Sequence, residues 1–242
     1  MNKVYVIGIG PGAYEQMTVK AVRTLEKCDV IVGYTVYIEL LKEHFPEKRY
    51  LTTSMRQEAE RCRMAFQEAE KGAVTAMVCS GDAGIYGMAG LMYEIGREYP
   101  EVAIEVIPGV TAALGGSAVL GAAVGHDVSL ISLSDLLTPW ELIEERLRCA
   151  AKADFVICLY NPSSRKRSTY LAKACELMLE YKSEDTVCGI VKNIAREGEQ
   201  MQTLTLKELK ETTVDMFSTV FIGNKQTKVI REKMVTPRGY RI

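Results

Sequence analysis

Residues 73–90 read AVTAMVCSGDAGIYGMAG. Val74 to Cys79 is an apolar run of buried-strand length. A polar turn follows at once, Ser80-Gly81-Asp82-Ala83-Gly84. Ile85, Met88, Leu91, Met92 and Ile95 then recur at helical spacing, which predicts a helix leaving the turn. An open α/β sheet builds a ligand site from a strand, a tight turn and a helix. The backbone N–H groups at the helix start lack partners inside the helix. Glycines at 81 and 84 permit unusual backbone angles and close approach of a ligand. The same spacing also suits a plain βα connection.

Similar units lie on both sides. Lys3 to Ile9 reads as the first strand and runs into Gly8-Ile9-Gly10-Pro11-Gly12. That turn is a poor dinucleotide fingerprint, because Pro11 intervenes and no third glycine follows at the required spacing. Thr18, Ala21, Val22 and Leu25 predict a helix ending near Cys28, and Asp29 to Val32 a second strand. Tyr34 and Tyr37 follow at the carboxyl end of that strand, as ligand neighbours or as aromatic packing. A long helix is expected over residues 55–71 with Ser54 as its N-cap. Arg56, Arg61 and Arg63 then form a solvated face, or one of them points at an anionic ligand. Val102 to Ile107 is another strand and ends in Pro108-Gly109-Val110-Thr111-Ala112-Ala113. The small residues from Thr111 to Ala123 suggest a helix packed close against other backbone or a ligand.

Composition shifts near Val124, which suggests lobes at 1–123 and 124–242. In the second lobe, strands are expected at 128–133, 154–160, 186–191, 200–206 (antiparallel) and 218–222. Helices are expected at 140–151, opened by Pro139, and at 169–181. The fold class is therefore α/β, with a mostly parallel sheet in the first lobe and a mixed sheet in the second. A cleft between lobes is the usual ligand site.

The 48% hydrophobic content supplies a full core, and the formal net charge of −1 supplies no basic field for nucleic acid or a membrane surface. No apolar run reaches the ~18 residues a membrane span needs. The chain goes straight into a strand, so no signal peptide is expected. Seven scattered cysteines without a CxxC pair, and only His44 and His126, argue against a zinc site. Most of the cysteines sit in apolar patterns and read as core thiols in a reducing cytoplasm.

VIGIGPG at 6–12, SGDAGIYG at 80–87 and PGVTAA at 108–113 resemble successive motifs of the tetrapyrrole methylase family, in order and spacing, over essentially the whole chain. VGYTVY at 32–37, GHDVSLISLSDLLTPW at 125–140 and LYNPSSRKR at 159–167 resemble its precorrin-3B C(17)-methyltransferase branch in cobalamin biosynthesis, including the cobalt-dependent anaerobic counterpart. The resemblance implies a homodimer of two αβα lobes that binds S-adenosylmethionine as methyl donor and a precorrin or cobalt-precorrin as substrate. It places Pro11 by the cofactor and the tetrapyrrole. It places Ser80, Gly81, Asp82 and Ile85 around the methionine part, with Ala83 where many members have proline. Thr111 and Ala112 match the contact after the PGxT turn, and Ile194 a backbone contact on the adenine side. Asn161 stands where relatives have methionine. Tyr34 stands where uroporphyrinogen methylases carry aspartate, which argues against that activity.

The resemblance further implies methylation at carbon 17 and contraction of the macrocycle. Contraction requires proton transfer, for which Tyr34, Tyr37, His126 and Asp135 are candidates, Tyr34 and His126 foremost. Arg56, Arg165 and Arg167 are candidates for the substrate's carboxylates, or plain surface arginines. A methyltransferase of the same fold acting on another ring carbon, a protein or RNA is one alternative. A non-catalytic corrinoid-binding module is another.

Overall fold

The computed structural model describes residues 2–164 and 166–241. The chain divides into two compact units, residues 1–112 and 113–242. The division falls before the small-residue helix rather than at Val124, because that helix packs on the second sheet.

In the first unit, β1 (Asn2–Gly8), α1 (Val19–Lys27), β2 (Val30–Tyr34), α2 (Thr35–Lys42), β3 (Arg49–Thr53), α3 (Glu58–Glu70), β4 (Thr75–Cys79), α4 (Ala89–Ile95) and β5 (Val102–Ile107) alternate. The five strands form one parallel sheet in the order β3-β2-β4-β1-β5. β2 and β4 are buried without a polar alternation, as expected of a parallel sheet covered on both faces. Ala21, Leu25, Ile38 and Leu41 of α1 and α2 pack on one face. Cys62, Ala65, Phe66, Ala69 and Met92 of α3 and α4 pack on the other. Neighbouring strands β1 and β4 thus send their connections to opposite faces. That reversal opens a crevice at their carboxyl ends, where open α/β sheets bind ligands.

Three local expectations change. The helix after the SGDAG turn starts only at Ala89, with Tyr86 in the left-handed region before it. Helix α3 starts at Glu58 with Gln57 at its cap, and Ser54 instead donates from its N–H and hydroxyl to Gln57 Oε1. β3 and α2 have weak patterns of their own: β3 is an edge strand with partly exposed positions, paired only to β2. Tyr37 consequently lies in the first turn of α2, not on a strand end.

The second unit contains α5 (Ala112–Leu120, its first residue at the division), β6 (Gly121–Ala122), β7 (Val128–Ser132), α6 (Trp140–Lys152), β8 (Val156–Tyr160), α7 (Tyr170–Leu179), β9 (Val187–Lys192), β10 (Gln200–Thr205), α8 (Leu206–Lys210), β11 (Ser218–Ile222), β12 (Lys228–Ile230) and β13 (Lys233–Val235). Its main sheet is mixed, in the order β10-β9-β11-β8-β7. β7 and β8 are parallel, and β11 runs antiparallel to both β8 and β9. β12, β13 and β6 form a small sheet. Pro139 caps α6 from outside rather than occupying its first turn. Helices α6, α7 and α8 bury one face of the main sheet through Ile143, Leu147, Leu171, Ala174, Leu206 and Leu209. Helix α5 covers the other. A Cβ at Gly116 would stand 2.8 Å from the Phe221 ring, and one at Gly189 2.6 Å from Leu120. The small residues therefore serve close helix–sheet packing. Six of the seven cysteines are buried and Cys149 is exposed. Burial pushes the Cys28 and Cys62 thiols up to about 12, so they stay protonated. No helix of the described residues is long and apolar enough to cross a membrane.

Candidate functional site

The loops after β1, β4 and β5 meet at the carboxyl edge of the first sheet. Gly10 N–H donates to the Gly81 carbonyl (3.1 Å) and Gly81 N–H to the Gly10 carbonyl (2.7 Å). Both glycines have positive φ, +75° and +70°. Gly109 is tighter still, since a Cβ there would stand 2.2 Å from the Gly81 carbonyl oxygen. Asp82 locks the arrangement. Gly84 N–H (2.8 Å) and Ile85 N–H (3.2 Å) donate to its Oδ1, and Gly109 N–H (2.9 Å) donates to its Oδ2. These bonds remove two of the loop's N–H groups from ligand duty. The Asp82 carboxylate shapes the loop and is not free to approach a ligand by itself. Thr111 is buried, and its Cα lies 3.6 Å from a Cβ placed on Gly81. Pro11, Ser80, Gly81, Asp82, Ile85 and Thr111 thus belong to the three loops around this crevice, and Ala112 opens α5 directly after the third.

Tyr34 ends β2 on the same edge. Its ring meets Tyr37 edge-on at 5.2 Å, and the Arg61 guanidinium lies 5.8 Å from its centroid. Arg61 is buried rather than part of a solvated face, because its α3 position falls on the stripe of Cys62, Ala65 and Phe66. That stripe was the available signal for it. Arg63 does face solvent, forked onto Glu98. Arg56 is exposed with φ +69° in the turn before α3.

In the second unit, Asn161 and Ile194 follow β8 and β9 at the edge where Ser132 ends β7. Asn161 adopts a left-handed backbone and donates from Nδ2 to Ser132 Oγ (3.0 Å). The Ile194 side chain is buried under α5, its Cδ1 3.1 Å from a Cβ placed on Gly116. Asp135 receives the Tyr170 hydroxyl (2.7 Å) and Arg167 Nη1 (3.3 Å). Tyr170 first, and Arg167 after it, hold the Asp135 carboxyl below its ordinary range against partial burial. Asp135 is therefore a carboxylate at neutral pH and donates no proton. Arg167 Nη1 donates to Ser134 and Asp135 while its Nε is buried without a hydrogen-bond partner, and Arg165 lies outside the described residues.

His126 is not brought to this edge. It precedes β7, beyond the Val128–Val156 pair, whereas Asn161 follows the Ser132–Tyr160 pair at the other end of the same two strands. Its Nδ1 accepts the Asp127 N–H at 2.9 Å. A hollow of about 240 Å³ opens at the His126 end, beside Asp154 and Lys182. The Lys182 ammonium there is consumed by Asp154, Phe155 O and Gly223 O. Among the described residues no group of three His, Cys, Asp or Glu side chains could hold a metal ion.

The family model for Tetrapyrrole (Corrin/Porphyrin) Methylases matches residues 3–210. The chain is a tetrapyrrole methylase. A relative from Salmonella typhimurium, named "Probable cobalt-factor III C(17)-methyltransferase", is 46% identical over 97% of this chain and 98% of its own. The "Precorrin-3B C(17)-methyltransferase" of a Sinorhizobium species is 35% identical over 98% and 96%. The crystal structure of the methyltransferase CobJ matches with a TM-score of 0.89 at 30% identity, covering 98% of this tetrapyrrole methylase and 100% of that chain.

Proposed function

We propose that this tetrapyrrole methylase transfers a methyl group from S-adenosylmethionine to carbon 17 of cobalt-factor III or precorrin-3B in cobalamin biosynthesis. The observation that carries the reading is the near-full-length identity of 46% to a relative named for that reaction. The lower identity of 35% to the relative named for precorrin-3B favours the cobalt-containing substrate.

The crevice suits the donor. Three turns approach so closely that a single Cβ at Gly8 or Gly109 would fill the space between them. Ser80, Gly81, Asp82 and Ile85, with Thr111, Ala112 and Pro11, supply the first unit's contacts, Asp82 by shaping the loop. Bound S-adenosylmethionine brings a methyl group already activated by its sulfonium, so no protein nucleophile is needed. The protein's part is to hold donor and ring carbon in line, which is worth ~7–11 kcal/mol of barrier in favourable cases. Ring contraction accompanies transfer, and Tyr34 handles its proton. The enzyme works as a homodimer, which sedimentation equilibrium at micromolar concentration tests.

Anaerobic incubation with S-adenosylmethionine and either cobalt-factor III or precorrin-3B, followed by mass spectrometry, tests the reaction. One added methyl on cobalt-factor III is the expected result. No added methyl on either substrate overturns it.

A further inference from the structure

Arg61 is a buried cation without an ion-pair partner among the described residues. It is 4% exposed. Its Nε donates to Thr53 Oγ1 (2.8 Å) and Nη2 to the Ser54 carbonyl (2.9 Å). Its other neighbour is the face of Tyr34. These partners are neutral. Arg49 and Lys71 are matched by Glu68, and Arg63 by Glu98. No carboxylate among the described residues pairs with Arg61. Removing an unpaired charge from water is costly, and buried charges are ordinarily paired. A guanidinium held this way needs an anion from outside the chain.

Its place says which anion. Thr53 ends β3 and Tyr34 ends β2, so Arg61 sits at the carboxyl edge of the parallel sheet, on the edge that carries the Ser80–Ile85 loop after β4. Two of its nitrogens are tied down, which fixes the plane of the fork. A planar, pre-oriented fork suits a carboxylate better than a point cation does.

We infer that Arg61 pairs with a carboxylate side chain of the bound tetrapyrrole and holds the Tyr34 ring beside it. The inference rests on the tetrapyrrole reading of the substrate. Arg61 then selects which way round the macrocycle enters, since only one carboxylate can meet it while the reacting carbon faces the methyl donor.

The test uses the full chain and its Arg61→Gln and Arg61→Lys variants, with folding checked by circular dichroism. Truncating one partner of a desolvated charge pair costs about 30-fold or more in affinity. Arg61→Gln is expected to raise KM for cobalt-factor III by about that factor while KM for S-adenosylmethionine stays unchanged. Arg61→Lys, which keeps the charge and loses the fork, is expected to recover part of the loss. A folded Arg61→Gln protein with wild-type KM overturns the inference, because a strut that merely ties β3 to α3 would lower the melting temperature alone. Binding of uroporphyrin III, a porphyrin with free carboxylates, gives a readout without turnover. Wild-type protein that methylates nothing but binds uroporphyrin III in an Arg61-dependent way refutes the reaction and keeps Arg61. If neither variant folds, a wild-type crystal soaked with uroporphyrin III decides. A carboxylate within hydrogen-bond distance of Arg61 supports the inference, and a bound porphyrin without one overturns it.

Discussion

Gly10 and Gly81 exchange both of their backbone hydrogen bonds, and each does so in the left-handed region. This bridge joins the loop after β1 to the loop after β4 at the point where the chain's connections switch faces of the sheet. Gly81→Ala meets only ordinary contacts at 3.6 Å or more, so its cost is backbone strain of about 1–2 kcal/mol. Gly109→Ala drives a Cβ to 2.2 Å from the Gly81 carbonyl and is expected to cost more and to disorder the crevice. Thermal unfolding and calorimetric titration with S-adenosylhomocysteine check this. Equal stability and affinity for the two variants would contradict the assigned packing.

Asp82→Asn keeps the shape of the side chain but presents an NH2 to one set of N–H donors. It cannot accept from Gly84 and Ile85 on one side and from Gly109 on the other. A loss of about 1.5–3 kcal/mol in stability is expected, with weakened binding of S-adenosylmethionine. Urea unfolding and calorimetry measure the two effects, and an unchanged urea midpoint would rule out the latch.

The Asp135 carboxyl lies below its ordinary range in the folded protein, through the Tyr170 hydroxyl and then Arg167. A depressed carboxyl stabilises the fold above its unfolded pKa of about 3.9, and that contribution fades as pH falls through the folded value. The stability gap between wild type and Asp135→Asn is therefore expected to be full near pH 6 and to shrink below about pH 4. Urea midpoints across that range check the sign. A gap that widens on acidification would refute it.

Tyr34 and His126, the two candidate proton donors, occupy different strand ends. Tyr34 ends β2 at the carboxyl edge of its sheet, whereas His126 lies at the end of its sheet away from Asn161. Tyr34→Phe is expected to consume S-adenosylmethionine while forming ring-contracted product ~10²–10⁴-fold more slowly. His126→Ala is expected to leave the product spectrum and rate unchanged. Absorption spectra distinguish the products, because contraction interrupts the conjugated path. Slowed contraction in His126→Ala, with wild-type behaviour in Tyr34→Phe, would reverse the assignment.

Much of this protein is legible locally. Val102–Ile107 and Ser218–Ile222 are mostly apolar runs whose bounds match the strands they form; Ser218–Ile222 is buried throughout, while Val102–Ile107 is an edge strand that carries the half-buried Glu105. The glycine turns after β1, β4 and β5 are also visible, since a turn's chemistry resides in a few neighbouring residues. The motifs built on them resemble the tetrapyrrole methylases, and the family match bears this out. Three features depend on strand order, which no local pattern encodes. The parallel order β3-β2-β4-β1-β5 sets Gly10 against Gly81 and lets Asp82 reach Gly109, 27 residues on. It carries Arg61 over the ends of β2 and β3, where burial strips it of water and leaves it without a carboxylate. The register of β7 on β8 sends His126 and Asn161 to opposite ends of one sheet. Pattern reveals which segments are strands, but only the packed sheet decides which strand ends are neighbours, and the crevice is made of those ends.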